Sequence, residues 1–209
     1  MFRTPSGWRY LQLVQTAYPG ETGFNDGDWI EAPFITTSGI RLIQTGNVGL
    51  GEFLEKPETK KFISEGTFQI LGCKWVHPGD ILICRLADPI GRACVVPANV
   101  GNSITAVDCT IYRPLPEVAD RRFMLHWLNS AQHLKAASDI AGGSTRQRIS
   151  RSHLGALEVL LPPIPEQRRI AAVLDTVEEA ITKTEVVIAK LKQVRAGLLH
   201  DLLTRGLGC

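Results

Sequence analysis

The clearest pattern of apolar and polar positions lies in the last 45 residues of the chain. Apolar or near-apolar residues recur there in alternating steps of four and three, and only Arg195 breaks the pattern. The positions are Ile170, Leu174, Val177, Ile181, Thr184, Ile188, Leu191, Leu198 and Leu202. A strict 3.5-residue repeat sustained over this length is typical of a coiled coil. We therefore predict one helix over residues 165–204, about 60 Å long at 1.5 Å per residue.

A helix that is this long and apolar on one side needs another helix to pack against. The alternative is a long core helix of one compact domain, which the lack of a cap within the stretch disfavours. Beside the stripe, the first half carries Glu178 and Glu185 and the second half carries Lys192, so opposite charges would meet in an antiparallel pair. Such ion pairs contribute only about 0.3–0.5 kcal/mol each, so a parallel pair remains an alternative. We predict an antiparallel dimer seam made of Leu174, Val177, Ile181, Thr184, Ile188, Leu191, Leu198 and Leu202.

The rest of the chain has the pattern of short strands followed by helices. Runs rich in β-branched residues, bounded by Gly, Pro, Asn or Asp, predict strands within 39–45, 68–71, 80–85, 92–96 and 103–112. Asp120 is a candidate N-cap of a helix over 120–130, residues 142–148 form a glycine-led polar loop, and residues 153–161 return to apolar alternation. We predict an α+β fold: a mostly-β, twisted or barrel-like domain with flanking helices over 1–162, then one long coiled-coil helix over 163–209.

Composition narrows the class of protein. The N-terminus has no apolar signal region and no stretch approaches 18 consecutive apolar residues, so we expect neither secretion nor membrane insertion. The five cysteines lack C-x-x-C pairing, which argues against a zinc site, and Cys84 and Cys94 lie in apolar runs typical of buried thiols. A cytoplasmic location fits best. The net charge is only +2, so a DNA-binding surface would have to be a local patch.

The loop over residues 142–151 is the best candidate for such a patch. It holds Arg146, Arg148 and Arg151 with Thr145 and Gln147, and no acidic residue lies between Asp139 and Glu158. Arginine reads guanine edges and clamps phosphates, and glutamine can pair with adenine. A solvated surface loop is the alternative interpretation. Secondary candidates are polar residues beside glycine at the ends of predicted strands, which could equally be simple turns: Gln44, Asn47, Arg85 and Arg92.

Familiar catalytic signatures do not occur in the sequence. It contains no G-x-x-x-x-G-K-[ST], no G-x-G-x-x-G after a strand, and no G-x-S-x-G. The Asn/Asp-Pro-Pro-Tyr/Phe loop expected of a DNA adenine methyltransferase is also missing. We therefore predict a chain with no catalytic residue and no metal ligand of its own.

Several motifs together resemble those of the specificity subunits of type I restriction-modification enzymes. The most specific is Leu161-Pro-Pro-Ile-Pro-Glu-Gln-Arg-Arg-Ile-Ala171 ahead of the long helix, which ends in Leu198-Leu-His-Asp-Leu-Leu-Thr-Arg205. The segments 78–85, 91–97 and 143–150 agree with the same family. The resemblance covers essentially the whole chain and implies recognition of DNA rather than catalysis. It also implies modification subunits that bind S-adenosylmethionine and restriction subunits that use ATP and Mg²⁺, with no cofactor in this chain.

Members of that family typically carry two target recognition domains, each followed by a helix, whereas this chain has one of each. It therefore resembles half of such a subunit, reading one half of a bipartite target. Two copies paired as a C2 dimer would present the same reader in opposite directions, so the target would be an interrupted palindrome. The alternative is a truncated or decoy protein that binds modification subunits without directing methylation.

Overall fold

The computed structural model describes residues 5–143 and 146–207. Nine strands and five α-helices occur among them, together with several short 3-10 helices. The strands are β1 Arg9–Gln12, β2 Phe24–Asp26, β3 Ile40–Ile43, β4 Lys61–Ile63, β5 Ile81–Cys84, β6 Ala93–Val95, β7 Ser103–Thr105, β8 Cys109–Tyr112 and β9 Glu158–Leu161. The helices are α1 Glu65–Leu71, α2 Arg121–Leu128, α3 Ala131–Ile140, α4 Arg151–Ala156 and α5 Ile164–Arg205.

The described strands form three sheets, none of which closes into a barrel. An antiparallel four-stranded sheet has the order β2-β8-β5-β6, and a three-stranded sheet has the order β4-β3-β7, with β3 and β7 parallel. The strand β1, near the start of the described chain, pairs antiparallel with β9 just before α5. The predicted α+β class with a mostly-β domain and one long helix is confirmed, and the sheets do not take the barrel form that the prediction allowed.

The four-stranded sheet has strands that are buried on both faces. All four residues of β5, Ile81-Leu-Ile-Cys84, and all four of β8 are buried. This explains why β5 reads as a continuous apolar run rather than an alternating one. Its cysteines pack as apolar side chains: Cys84, Cys94 and Cys109 belong to one core cluster with Leu82. The interpretation of Cys84 and Cys94 as buried thiols is confirmed.

Two segments differ from the sequence prediction. Residues 68–71, predicted as a strand, belong to helix α1, because Ser64 caps its start through a bond from Thr67 N and Gly72 ends it at a φ of 59°. Local capping therefore outweighs the β-like composition. In the segment 153–161, the first part is helix α4, capped by Ser150, and only the last part is β9.

The helix α2 starts where predicted. Asp120 accepts hydrogen bonds from Arg122 N and Phe123 N, as an N-cap does. The backbone N of Asp120 donates in turn to Gln167 Oε1, at 2.8 Å. The amide of Gln167 also donates to Val118 O at 3.1 Å and to Pro162 O at 2.8 Å. Gln167 is 1% exposed, so the Gln of the Pro-Glu-Gln motif ties the segment around residue 120 to the proline segment.

The described chain divides into two compact units between Arg168 and Arg169. The second unit is the greater part of α5, which has 42 residues in all, or about 60 Å. The single helix predicted over 165–204 is confirmed. None of the described helices has the length and apolarity that would let it cross a membrane.

Candidate nucleic-acid interface

The arginine loop, residues 142–151, is fastened at both ends by backbone hydrogen bonds. Gly142 and Arg148 exchange two bonds, at 3.1 and 2.9 Å, and Ala87 N donates to Gln147 O at 3.3 Å. Gly143 has a φ of 111°, and a Cβ there would stand 2.5 Å from Arg146 O, so the turn requires glycine. The side chains of Arg146, Gln147 and Arg148 are exposed. Thr145 lies outside the described residues.

Arg85 has a different position from the predicted one. Its side chain is 2% exposed, and its guanidinium donates to Ile149 O at 3.0 Å and to Val107 O at 2.6 Å. Asp26 Oδ1 lies 3.2 Å from Nη2. Burial lowers the pKa of Arg85, and Asp26 opposes that shift by favouring the charged form. The side chain therefore lies beneath the arginine loop and holds its backbone, and the DNA contact predicted for Arg85 stays a prediction.

Arg92 connects two of the other predicted segments. Its Nε donates to Val48 O at 2.7 Å and its Nη2 to Thr45 O at 3.1 Å, both in the turn after β3. Its Nη1 donates to Ala87 O and Pro89 O in the loop between β5 and β6. These bonds occupy much of the guanidinium. The structure therefore brings together the predicted segments at 44–47, 85–92 and 142–151. Arg92 links the first two of them by hydrogen bonds.

Gln44 and Asn47 also take part in local structure. Asn47 is 5% exposed; its Oδ1 accepts from Gln44 N at 2.9 Å and its amide donates to Leu54 O at 2.8 Å. A buried side chain with these bonds would have to break them to reach a base, and the DNA contact predicted for Asn47 stays a prediction. Gln44 is half-buried and donates to Thr59 O at 3.1 Å.

Two acidic side chains lie among the arginines. Arg148 Nε stands 2.7 Å from Asp108 Oδ1, and Arg151 Nε stands 3.9 Å from Asp26 Oδ2. Arg151 also donates to Asn25 Oδ1. Arg146 has no ion-pair partner among residues 5–143 and 146–207. The loop is therefore positively charged but not uniformly so, and two of its arginines are held in place by carboxylates.

Sequence reasoning missed a second basic element, the lysine turn of residues 56–61. Lys56, Lys60 and Lys61 are all exposed, and Gln44 bonds this turn through Thr59 O. Arg41 and Lys60 both contact Glu55, at 2.9 and 2.7 Å, and together they lower the pKa of Glu55. The cluster of three lysines within six residues, Lys-Pro-Glu-Thr-Lys-Lys, is the sequence pattern that could have identified this basic element.

A groove of about 530 Å³ runs beside these segments. Its lining includes Trp29, Gln44, Lys61 and Asp108, and Trp29 is 71% exposed. An exposed aromatic ring beside amide, ammonium and carboxylate groups can stack on a planar ligand and bond its edge. This arrangement suits recognition of a polar, planar surface rather than bond-making chemistry. Among the described residues no group of three or more His, Cys, Asp or Glu could hold a metal ion.

The predicted seam residues lie on α5 as an exposed apolar stripe. Exposure ranges from 39% at Leu174 to 62% at Leu191. Thr184, the polar member, donates its hydroxyl to Ala180 O at 2.7 Å, which satisfies it within its own helix. The prediction that these residues form a dimer seam remains a prediction.

Comparisons with known proteins point to one family. A family model described as "Type I restriction modification DNA specificity domain" matches residues 28–193. A Haemophilus influenzae protein named as a type I restriction enzyme specificity subunit is 28% identical over 160 residues, covering 74% of this chain and 39% of that protein. The Methanocaldococcus jannaschii MjaX specificity subunit is 24% identical over 131 residues, which cover 61% of this chain and 31% of that protein.

Solved structures with the same fold span almost the whole chain. The HsdS subunit from Thermoanaerobacter tengcongensis has a TM-score of 0.66 at 22% identity, covering 99% of this chain and 47% of that one. A chain solved for the assembly and conformational transition of the type I R-M system has a TM-score of 0.69 at 21% identity, covering 99% and 48%. This chain thus spans about half of those structures and about a third of the curated relatives. Because the family model matches well over half of the sequence, the chain belongs to the family of type I restriction-modification DNA specificity domains.

Proposed function

We propose that this chain is the DNA-reading component of a type I restriction-modification complex and that it recognises one half of a bipartite sequence. The observation that carries the proposal is the arginine loop: its backbone is fixed from beneath by Arg85, while Arg146, Gln147 and Arg148 remain exposed. Guanidinium and amide groups on a rigid support are what readout of base edges requires. Phosphate contacts from Arg151 and the lysine turn would set the register on the duplex.

The chain acts in this proposal by placing other subunits, not by catalysis. Modification subunits carrying S-adenosylmethionine would methylate adenine, and restriction subunits using ATP and Mg²⁺ would translocate and cut. The names of the relatives support this assignment, since they are specificity subunits of restriction enzymes. The chain itself would need no cofactor. A cytoplasmic location follows from acting on chromosomal DNA.

The second part of the proposal is that two copies pair through α5 in antiparallel orientation. Its support is the apolar stripe, whose residues are well exposed on the single chain. Full burial of a Leu or Ile side chain contributes about 1.5–3 kcal/mol, so a partner that covers the stripe would be favoured. A symmetric pair would restore the length of a two-domain subunit, because one chain spans about half of its structural relatives. The pair would then read an interrupted palindrome, with α5 setting the gap between half-sites.

The competing candidate is a truncated or decoy protein that occupies modification subunits without directing them. The observation that favours it is the same partial coverage, 47–48% of the structural relatives. The two candidates differ in one respect that can be measured, which is whether a sequence motif appears in the methylated DNA.

The deciding experiment is to co-express the chain with its modification subunit and map N6-methyladenine across the host genome. An interrupted palindromic motif supports a symmetric pair of readers, and an asymmetric bipartite motif means pairing with a different recognition domain. A folded complex that leaves the DNA without a motif would overturn the reader proposal in favour of the decoy.

A further inference from the structure

Asp108 is an acidic residue that contacts the arginine loop and also lines the groove beside Gln44 and Lys61. It lies in the turn between β7 and β8, and its backbone carbonyl accepts from Arg85 N at 2.8 Å, which fixes the turn to the residue that follows β5. Its carboxylate reaches Arg148 Nε at 2.7 Å. DNA phosphates repel any carboxylate that faces them, so an acidic side chain within a DNA-binding surface needs a physical reason.

The carboxylate has acceptor capacity that the structure does not use. Its Oδ1 has almost no exposed surface, and no hydrogen bond to it is formed among the residues described, because the nearby Arg148 Nε is close but not aligned. Arg148 itself is 48% exposed, so its guanidinium can turn toward a ligand and uncover Oδ1. The whole Asp108 side chain is 21% exposed, which places it at the surface rather than in the core.

On the DNA itself, the donors that a carboxylate can bond are base-edge amino groups, because every backbone phosphate repels it. In the major groove, Asp accepts from the cytosine N4 amino group, and Arg donates to O6 and N7 of guanine. These two edges lie side by side in one base pair. Asp108 and Arg148, already in contact, match that order of acceptor and donor.

We propose that Asp108 and Arg148 act as one reader of a G·C pair, with Asp108 on the cytosine and Arg148 on the guanine. The inference rests on the proposed function, and it adds a specificity-determining residue and the base pair that it reads.

The test compares methylated motifs from cells that express the modification subunit with wild-type chain, Asp108→Asn or the matched control Asp139→Asn. Asp139 is an exposed acid that contacts only Lys135 among the ion pairs of the described chain. With wild type, a motif containing a G·C pair is expected. With Asp108→Asn, discrimination at that one pair should fall roughly 5- to 150-fold, with adenine gaining, because Asn pairs with adenine. The control should leave the motif unchanged.

A second variant keeps the test decisive if Asp108→Asn does not fold. Arg148→Gln changes an exposed side chain and should relax the same base pair on its guanine strand while the other positions stay fixed. If wild type produces a motif and both variants reproduce it, the Asp108–Arg148 reader is refuted and the proposed function stands. If wild type itself produces no motif, the proposed function fails first.

Discussion

The buried amide of Gln167 gives the sharpest test of how the globular unit is held together. Its three hydrogen bonds join Asp120, Val118 and Pro162 at 2.8, 3.1 and 2.8 Å, and the side chain is 1% exposed. Gln167→Leu keeps the approximate volume but leaves one backbone N–H and two carbonyls without partners. At about 1 kcal/mol net for each bond, the free energy of unfolding should fall by about 3 kcal/mol or more.

The assay is thermal unfolding followed by tryptophan fluorescence. All four tryptophans, Trp8, Trp29, Trp75 and Trp127, precede α5, so the signal reports on the globular part and not on the long helix. For a unit of this size, about 3 kcal/mol corresponds to a drop in Tm of roughly 6–12 °C.

The control for this experiment is the same substitution at an exposed site, Gln193→Leu, on the outer side of α5. It should shift the Tm by no more than about 1–2 °C, since surface changes usually cost within about 0.5 kcal/mol. If Gln167→Leu behaved like this control, the Gln of the Pro-Glu-Gln motif would not close the globular unit, and the structural reason given for that motif would be refuted.

Two further predictions concern pH and association. Burial lowers the pKa of His133 to about 4, below its usual 6.5, so the folded state disfavours its charged form; stability should therefore fall as the pH drops from 6.5 toward 4, by up to about 3 kcal/mol. In urea unfolding, His133→Gln should flatten that slope and the exposed His200→Gln should not; equal slopes in all three would contradict the assignment. Leu191→Asp should raise the dissociation constant of the dimer at least about 100-fold, because the change occurs in both copies, whereas Val186→Asp on the outer side of α5 should not. If analytical ultracentrifugation showed that the wild-type chain sediments as a monomer, the proposed pairing through α5 would be refuted.

The long helix and the fold class could be predicted from the sequence because both depend on periodicity. The heptad stripe predicted 165–204 and the helix is Ile164–Arg205. Helix α1 could not be read from composition, because residues 68–71 look β-like. The capping residues Ser64 and Gly72 decide its structure, and they lie outside that short window.

The site was harder to predict because charge in a sequence does not reveal burial. Arg85 and Arg148 look alike as strand-end or loop arginines, yet one is 2% exposed and the other 48%. The difference arises from long-range packing: Ile149 O, Val107 O and Asp26, all distant in sequence, converge on Arg85. Asp108 could not be singled out for the same reason, since it is far from Arg148 along the chain. The predicted DNA-contacting roles of Arg146, Gln147 and Arg148 remain predictions.

Arg85 is buried and Arg146 is exposed, so substitutions at these two positions should distinguish a residue that holds the loop backbone from one that contacts DNA. Arg85→Met should leave Ile149 O and Val107 O unbonded and Asp26 without its buried partner, which should destabilise the fold by about 3–5 kcal/mol. Arg146→Met changes an exposed side chain, so the Tm should stay within about 2 °C of wild type.

The two variants should also weaken DNA binding in different ways. If Arg146 contacts a phosphate, its loss lowers the dependence of log K on log salt by about one and weakens all sequences alike; if it reads a base, one position of the site relaxes. Arg85→Met removes no contact with DNA, so the folded fraction of this variant should show the same dependence of log K on log salt as the wild type. Titration of duplex DNA at several salt concentrations measures both. An Arg85 variant that melts like wild type but loses one unit of slope would show that this guanidinium leaves its buried site and reaches the DNA, and the loop would then have no fixed support.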